Sequence, residues 1–273
     1  MGKIDTGTND LLADLEAGVL TLTLNRPEAR NAMSGPMNDA LAAQLAWAEL
    51  APEVKVVVLT GAGQGFCAGG DVKGMASRNE GGGQPATIDE AIHRQRVNQR
   101  ATSGKLFNMP KPTIAALPGA AAGAGLALAL ACDLRIMART AILTTAFARV
   151  GFSGDYGGTY FLTQMLGSAK ARELYLLSPV LTAQEALALG MVTRVVPDAE
   201  VEAAARELAM SLAQGPSVTL GYIKRNINNA ERLSLENCFD AEAFHHSRAG
   251  ETADHKEAAK AFVEKRKPVF QGH

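Results

Sequence analysis

Aromatic side chains are scarce in this chain: nine Phe, four Tyr and one Trp among 273 residues. So few rings leave little for nucleobases to stack on. A surplus of positive charge is missing too. Lys and Arg total 27 against 28 Asp and Glu, a net charge of −1. That balance removes the usual electrostatic case for nucleic acid or an anionic membrane surface, so an anionic ligand must be held by local donors. Cysteine is limited to Cys67, Cys132 and Cys238. Their wide spacing and the lack of any CxxC argue against a disulfide framework and a thiolate zinc site, and favour a reducing, cytoplasmic setting. His245 and His246 have no ligand spacing to other His or Cys, so no metal is expected. MGKIDTGTND at the start holds no apolar run of a secretory signal, and Gly2 with Thr6 fits only a loose acylation pattern. One uncharged stretch, 113–132, is long enough for a membrane span. It is mostly Ala and Gly and is broken by Pro118, so it reads as a buried strand, a turn and a small-residue helix.

What is present is a large apolar fraction, 47%, with 20% charged residues, enough for a sizeable core and against disorder. Residues 10–24 read as two strands around Ala17-Gly18, with LTLTL alternating in the second. Pro27 ends this unit. Residues 36–50 carry helical spacing, and 56–59 is a valine-rich run that suits a strand buried on both faces. A glycine-rich turn follows at 61–71, then a polar helix over about 88–107. The strand TIAAL, the small-residue helix and a short strand near 134–137 come next. From about residue 199 the chain is helical, with Pro216 as a helix start. Strand–turn–helix units followed by helices alone predict an α/β core, 1–198, and a C-terminal helical region, 199–273.

GAGQGFCA at 61–68 contains a GxGxxA pattern, yet no acidic residue falls on a second strand about twenty residues later, and no P-loop GK[ST] exists. A second reading fits better. CAGGD (67–71) and GAAAGAG (119–125) each follow a buried strand and each lead into a predicted helix start. Free N–H groups at two such turns make an oxyanion hole, and small residues let a ligand approach the backbone. Composition alone favours plain tight turns at both.

The sequence resembles the crotonase (enoyl-CoA hydratase/isomerase) superfamily. The matching stretches are LNRPEARNAM (24–33), VVVLTGAGQGFCAGGDVKGM (56–75) and KPTIAALPGAAAGAGLALALACDLRIM (111–137). GGTYFLTQMLGSAKARELYL (157–176), ALALGMVTRVVP (186–197) and KEAAKAFVEKRKPVF (256–270) continue it. The resemblance implies a spiral of ββα units with a C-terminal helical region that builds trimers, often paired into hexamers. It implies an acyl-CoA thioester as substrate, with CoA part of that substrate rather than a separate cofactor. The enolate would be held by the N–H groups of Gly70 and Ala124. By the same resemblance, CoA and substrate contacts fall on Ala29, Arg30, Ala68, Asp71, Val72, Lys73, Phe147, Phe262 and Lys265, the last two commonly across a subunit boundary.

One departure stands out. Hydratases of the superfamily carry two glutamates that activate water; the matching positions here are Ala127 and Phe147, neither of which accepts a proton. Asp155, in GFSGDYGGTY, matches a position where several superfamily isomerases carry an aspartate. A lone Asp between Gly154 and Tyr156 also suits a turn. As a base it can remove a proton and return it elsewhere, which a double-bond shift needs. The expectation is enoyl-CoA isomerisation by Asp155. The alternatives are hydration by another water arrangement, nucleophilic or hydrolytic chemistry at Asp155, and an acyl-CoA binder without turnover. His93, Tyr156 and Tyr160 are weaker candidates for the pocket.

Overall fold

The computed structural model describes residues 2–71 and 87–273. Eleven strands are found in this part of the chain: β1 (Gly2–Ile4), β2 (Leu11–Glu16), β3 (Val19–Leu24), β4 (Val56–Gly61), β5 (Gly65–Cys67), β6 (Thr113–Leu117), β7 (Ala120–Ala122), β8 (Leu134–Ala138), β9 (Ile142–Thr144), β10 (Leu181–Thr182) and β11 (Arg194–Val196). The helices are α1 (Gly35–Leu50), α2 (Ile88–Ala101), α3 (Ser103–Asn108), α4 (Ala124–Ala131), α5 (Gly158–Leu177), α6 (Ala183–Ala188), α7 (Val201–Ala213), α8 (Ser217–Ala230), α9 (Leu235–Gly250) and α10 (Ala253–Val263).

Two sheets share the strands. The large one runs β1-β2-β3-β4-β6-β8-β11, and the small one β10-β9-β7-β5. β2 and β3 pair antiparallel, while β3, β4, β6, β8 and β11 follow one another in parallel. Each of β4, β6 and β8 hands the chain to a short strand, β5, β7 and β9, in the second sheet. Those three are also parallel neighbours. Helices follow each pair and lead back to the large sheet, after the third pair by way of β10 in the small sheet. The repeat of long strand, short strand and helix is the expected spiral of ββα units.

Local chemistry explains these elements. Ala17 and Gly18 take φ of 49° and 83°, the left-handed pair that a two-residue hairpin needs. Central β4 is buried along VVVL, as a parallel strand covered on both faces should be. Ser34 caps α1 by accepting the Met37 N–H at 3.1 Å. The predicted polar helix over 88–107 is two helices, because the chain turns at Thr102, φ −113° and ψ −90°.

Helix α4 is the centre of the molecule. All eight of its residues are buried, and none carries a polar side chain. Its C-terminal carbonyls would be orphaned there. The guanidinium of buried Arg135 meets them, donating to the carbonyls of Ala129, Leu130 and Cys132, and to Met191 O at 2.6 Å. A cation at this end also complements the helix dipole. Burial pulls the Arg135 pKa down from its usual value, with the nearby Asp133 charge opposing. The stretch 113–132 is thus β6, β7 and α4. Among the described residues no helix is long and apolar enough to cross a membrane.

The C-terminal helices are tied to this core through α7 and α8. Buried Val201, Ala204, Ala205 and Ala209 set α7 down on the large sheet. From α8, the buried Lys224 ammonium reaches Leu106 O at 2.8 Å and the Asp133 carboxylate at 2.9 Å. Farther out, Ile227, Phe239, Phe244, Phe262 and Val263 leave large apolar surfaces exposed.

Candidate active site

The first donor turn is held from below by a neighbouring loop. Asn31 is fully buried and left-handed, φ 55°. Its side chain accepts the Arg26 N–H at 2.9 Å and donates to Ala62 O and Gly65 O, both at 2.9 Å. The 26–31 loop and the 62–65 turn thereby meet on one amide. The same loop then runs beside residues 68–70 like a strand. Ala68 N donates to Arg30 O at 3.0 Å and Met33 N to Gly69 O at 2.8 Å. The isolated parallel bridge between Met33 and Gly70 continues this contact. In that pairing Gly70 turns its own N–H away from the ladder. Arg26 closes the turn by meeting the Asp71 carboxylate at 3.1 Å.

The second donor turn is the start of α4. Gly123, with φ 53°, precedes Ala124 and donates to Thr144 O at 3.1 Å. Ala124 N is the first N–H of the helix and so has no carbonyl four residues back. Two glycines bring the turns together. A Cβ on Gly69 would lie 3.2 Å from Ala124 N, and a Cβ on Gly125 would strike the carbonyl and thiol of Cys67. The Cys67 thiol accepts the Gly69 N–H at 3.4 Å, and burial pushes its pKa up to about 12, so it stays a neutral thiol. Among the described residues, neither Gly70 N–H nor Ala124 N–H donates to a protein acceptor.

Asp155 enters from a third segment. Its loop is built of left-handed residues: Gly151 φ 72°, Gly154 φ 115°, Tyr156 φ 48° and Gly157 φ 78°. Two glutamines one turn apart on α2 hold it. Gln95 Nε2 donates to Asp155 Oδ2 at 3.4 Å, and Gln99 Oε1 accepts the Tyr156 N–H at 3.2 Å. Asp155 Oδ1 is buried with no partner among the described residues. Desolvation raises the Asp155 pKa from 3.8 to about 6. Backbone donors, which would oppose that rise, do not reach the carboxylate, so burial prevails.

Ala127, one turn after Ala124, stands 3.2 Å from the place a Cβ on Gly158 would take, three residues beyond Asp155. The Phe147 ring lies 3.8 Å from a Cβ position at Gly123. It stacks on Tyr175 with centroids 5.9 Å apart and planes 2° from parallel. The two positions matched to the hydratase glutamates thus stand against the donor turn and the Asp155 loop.

The other sequence candidates are placed as follows. Ala29 ends the 3-10 turn at Pro27–Ala29, and Arg30 is exposed beside it. Ala68 is exposed between Cys67 and Gly69. Val72 and Lys73 lie outside the described residues. Phe262 and Lys265 sit at the exposed end of α10, and among the described residues neither has a hydrogen bond or ion pair to the donor turns. His93 is exposed on α2. Tyr160 accepts from Arg232 Nε at 3.2 Å and donates to Glu231 at 3.0 Å, which commits its hydroxyl to the C-terminal helices. His245 stacks on Tyr222 and bonds Asn226. Among the described residues no cluster of His, Cys, Asp or Glu is arranged to hold a metal. Gln95, Gln99 and Tyr175 carry no signal in the sequence that points to a site. The two glutamines lie on a polar helix face, and Tyr175 sits among the apolar residues of RELYLL.

Two sheets with parallel cores wound as a spiral, with two glycine turns converging at one end of a buried helix, define the crotonase class of fold. The enoyl-CoA hydratase/isomerase family model matches residues 14–273. The chain belongs to that family and is an enzyme of it. It is 40% identical to the 1,2-epoxyphenylacetyl-CoA isomerase of Escherichia coli K12, over 96% of this chain and 98% of that one. It is 34% identical to a protein of Rhodobacter capsulatus named a probable enoyl-CoA hydratase, over 95% and 96%. The crystal structure of an enoyl-CoA hydratase from Polaromonas sp. JS666 superposes with a TM-score of 0.88 at 32% identity, covering 96% of this chain and 99% of that one.

Proposed function

We propose that the protein isomerises an acyl-CoA thioester, with Asp155 as the proton carrier. The thioester oxygen sits between the N–H groups of Gly70 and Ala124. Charge that develops there as the enolate forms meets two donors that need no reorganisation. Asp155 takes a proton from a carbon beside the thioester and returns it farther along the acyl chain, so no atom is gained or lost. A carboxyl with a pKa near 6 suits both steps at neutral pH. The observation that carries this reading is the state of Asp155: partly buried, with one oxygen unpartnered, while the two hydratase positions hold Ala127 and Phe147. CoA enters as part of the substrate, and Ala29, Arg30, Ala68, Asp71, Val72, Lys73, Phe262 and Lys265 are the positions proposed to contact it.

The same proposal includes a homotrimer or a pair of trimers working in the cytoplasm. Its support is the exposed apolar surface of the region from about 199 onward. It also brings Phe262 and Lys265 of one chain to a neighbour's CoA.

The test is mass spectrometry of 3-enoyl-CoA thioesters after incubation in deuterium oxide. Isomerisation leaves the product with solvent deuterium and without the mass of an added water. A product heavier by one water would instead assign hydration, and free CoA would assign hydrolysis.

A further inference from the structure

We infer that Tyr175 is a specificity-determining residue whose hydroxyl meets an oxygen atom on the acyl group, so that the preferred substrates are oxygen-bearing acyl-CoA thioesters rather than plain hydrocarbon ones. This deepens the reading of the site given above and rests on its placement of the acyl group.

The inference starts from where the hydroxyl ends. Tyr175 lies on α5, twenty residues beyond Asp155. A break in that helix at Gly167, φ 76° and ψ 162°, folds its second half back over the first. The ring then comes against both ends of the Asp155 loop. A Cβ on Gly154 would be 2.9 Å from the ring, and a Cβ on Gly158 would strike the hydroxyl itself. Ala127 stands 3.2 Å from that same point at Gly158. The hydroxyl therefore ends beside Ala127, one helical turn from the Ala124 donor, and next to the loop that carries the proposed base. Only glycine at 158 leaves it room.

Its hydrogen-bonding state is the second observation. A phenol carries one donor and accepts as well. Among the described residues the Tyr175 hydroxyl has no protein hydrogen-bond partner, and Asp155 Oδ1 is buried without one. A buried polar atom without a partner asks for an explanation, and the hydroxyl of half-buried Tyr175 next to it is open to a bound acyl group. Burial and the Asp155 charge both push the Tyr175 pKa up, so the hydroxyl keeps its proton and acts as a donor. The stacked Phe147 ring fixes the direction in which it points.

Such an arrangement discriminates between acyl groups. An oxygen at the second or third carbon from the thioester gives the phenol an acceptor. A plain hydrocarbon chain seals it away from water unpaired, and sites built to hydrogen-bond a substrate oxygen reject analogues that lack it.

The experiment compares dissociation constants of butanoyl-CoA and 3-hydroxybutanoyl-CoA by calorimetry, on the whole protein. The wild type is expected to prefer the hydroxy thioester about tenfold or more. Tyr175→Phe removes the hydroxyl and keeps the stack, and the preference should fall close to one. Gly158→Ala is the second variant; its methyl displaces the hydroxyl without removing it, and the preference should fall again. Thermal melting shows that each variant is folded. Equal affinities in the wild type, or a preference that survives in both variants, overturn the inference. Deuterium uptake by a plain 3-enoyl-CoA is measured on the Tyr175→Phe protein, where no hydroxyl penalises a hydrocarbon chain, and so reports on Asp155. Failure there counts against the isomerase reading, whereas the affinity ratio decides the role of Tyr175 separately.

Discussion

The two turns that present N–H donors and the loop that presents the carboxylate meet in one place but are built in opposite ways. The donor turns follow the paired parallel strands β5 and β7 and rest on α4, whose residues are all buried. Asn31 ties its own loop to the 62–65 turn beneath them. The Asp155 loop has no strand. It strings together left-handed residues, leaves Val150 and Phe152 exposed, and depends on two glutamines of α2. The part of the chemistry common to every proposed reaction, holding an oxyanion, sits in the part that cannot move without unfolding the core. The part that selects among reactions sits on a segment held by a few bonds. The loop can therefore change its acid while the donors stay fixed.

This contrast can be broken most severely from the donor side. Gly125→Ala drives a methyl into the Cys67 carbonyl and thiol, both backed by the core. We expect a loss of at least about 2 kcal/mol in stability, read as a lower melting temperature, together with turnover too low to measure. Asp155→Asn should do the reverse: turnover falls by about 10²–10⁴-fold while the fold is kept. An Asp155→Asn protein as active as the wild type on its best acyl-CoA would make this residue a turn former only.

A third measurement follows from the raised pKa. Between about pH 4 and 6 the native state keeps a proton on Asp155 that the unfolded chain has released. Stability contributed by this group is therefore complete at low pH and is lost as pH rises through 6. Asp155→Asn should then be more stable than wild type above pH 6. The difference is of the order of 1–2 kcal/mol, allowing for partial solvent screening, and should vanish near pH 4. Equal denaturant midpoints at pH 5 and pH 8 would remove desolvation as the cause. The rate constant kcat/KM should in turn fall below pH 6. The mildest change is Gln95→Leu, which takes one long hydrogen bond from the carboxylate. It should shift that acidic limb upward by about half a unit, with less than a tenfold loss at pH 8.

Much of the scaffold was legible because its signals are local. Alternation in LTLTL with Ala17-Gly18 marks a hairpin, and an uncharged AGLALALA can only be an interior helix. Gly70, Ala124 and Asp155 were reached through motif order, and the structure brings their segments together. β5, β7, β9 and β10 were not legible individually, since strands of two or three residues carry no periodicity. Tyr175 was hidden for another reason. It reads as one more apolar position in RELYLL, and only the break at Gly167 returns it to the Asp155 loop. Gln95 and Gln99 look like a solvated helix face until the loop is laid over them.

The contact between Ala127 and Gly158 also bears on how this pocket can change over generations. Glutamate at 127 would have to enter a space bounded by the Gly158 backbone and filled by the Tyr175 hydroxyl. Glutamate at 147 would remove the ring on which Tyr175 stacks and leave a carboxylate against that same apolar wall. Either replacement alone meets an occupied or unsupported position, so the order of substitutions matters and the effects do not add. Positions 127, 147 and 175 are coupled through these contacts. A carboxylate introduced at 127 or 147 therefore has to be accommodated at the Tyr175 ring as well.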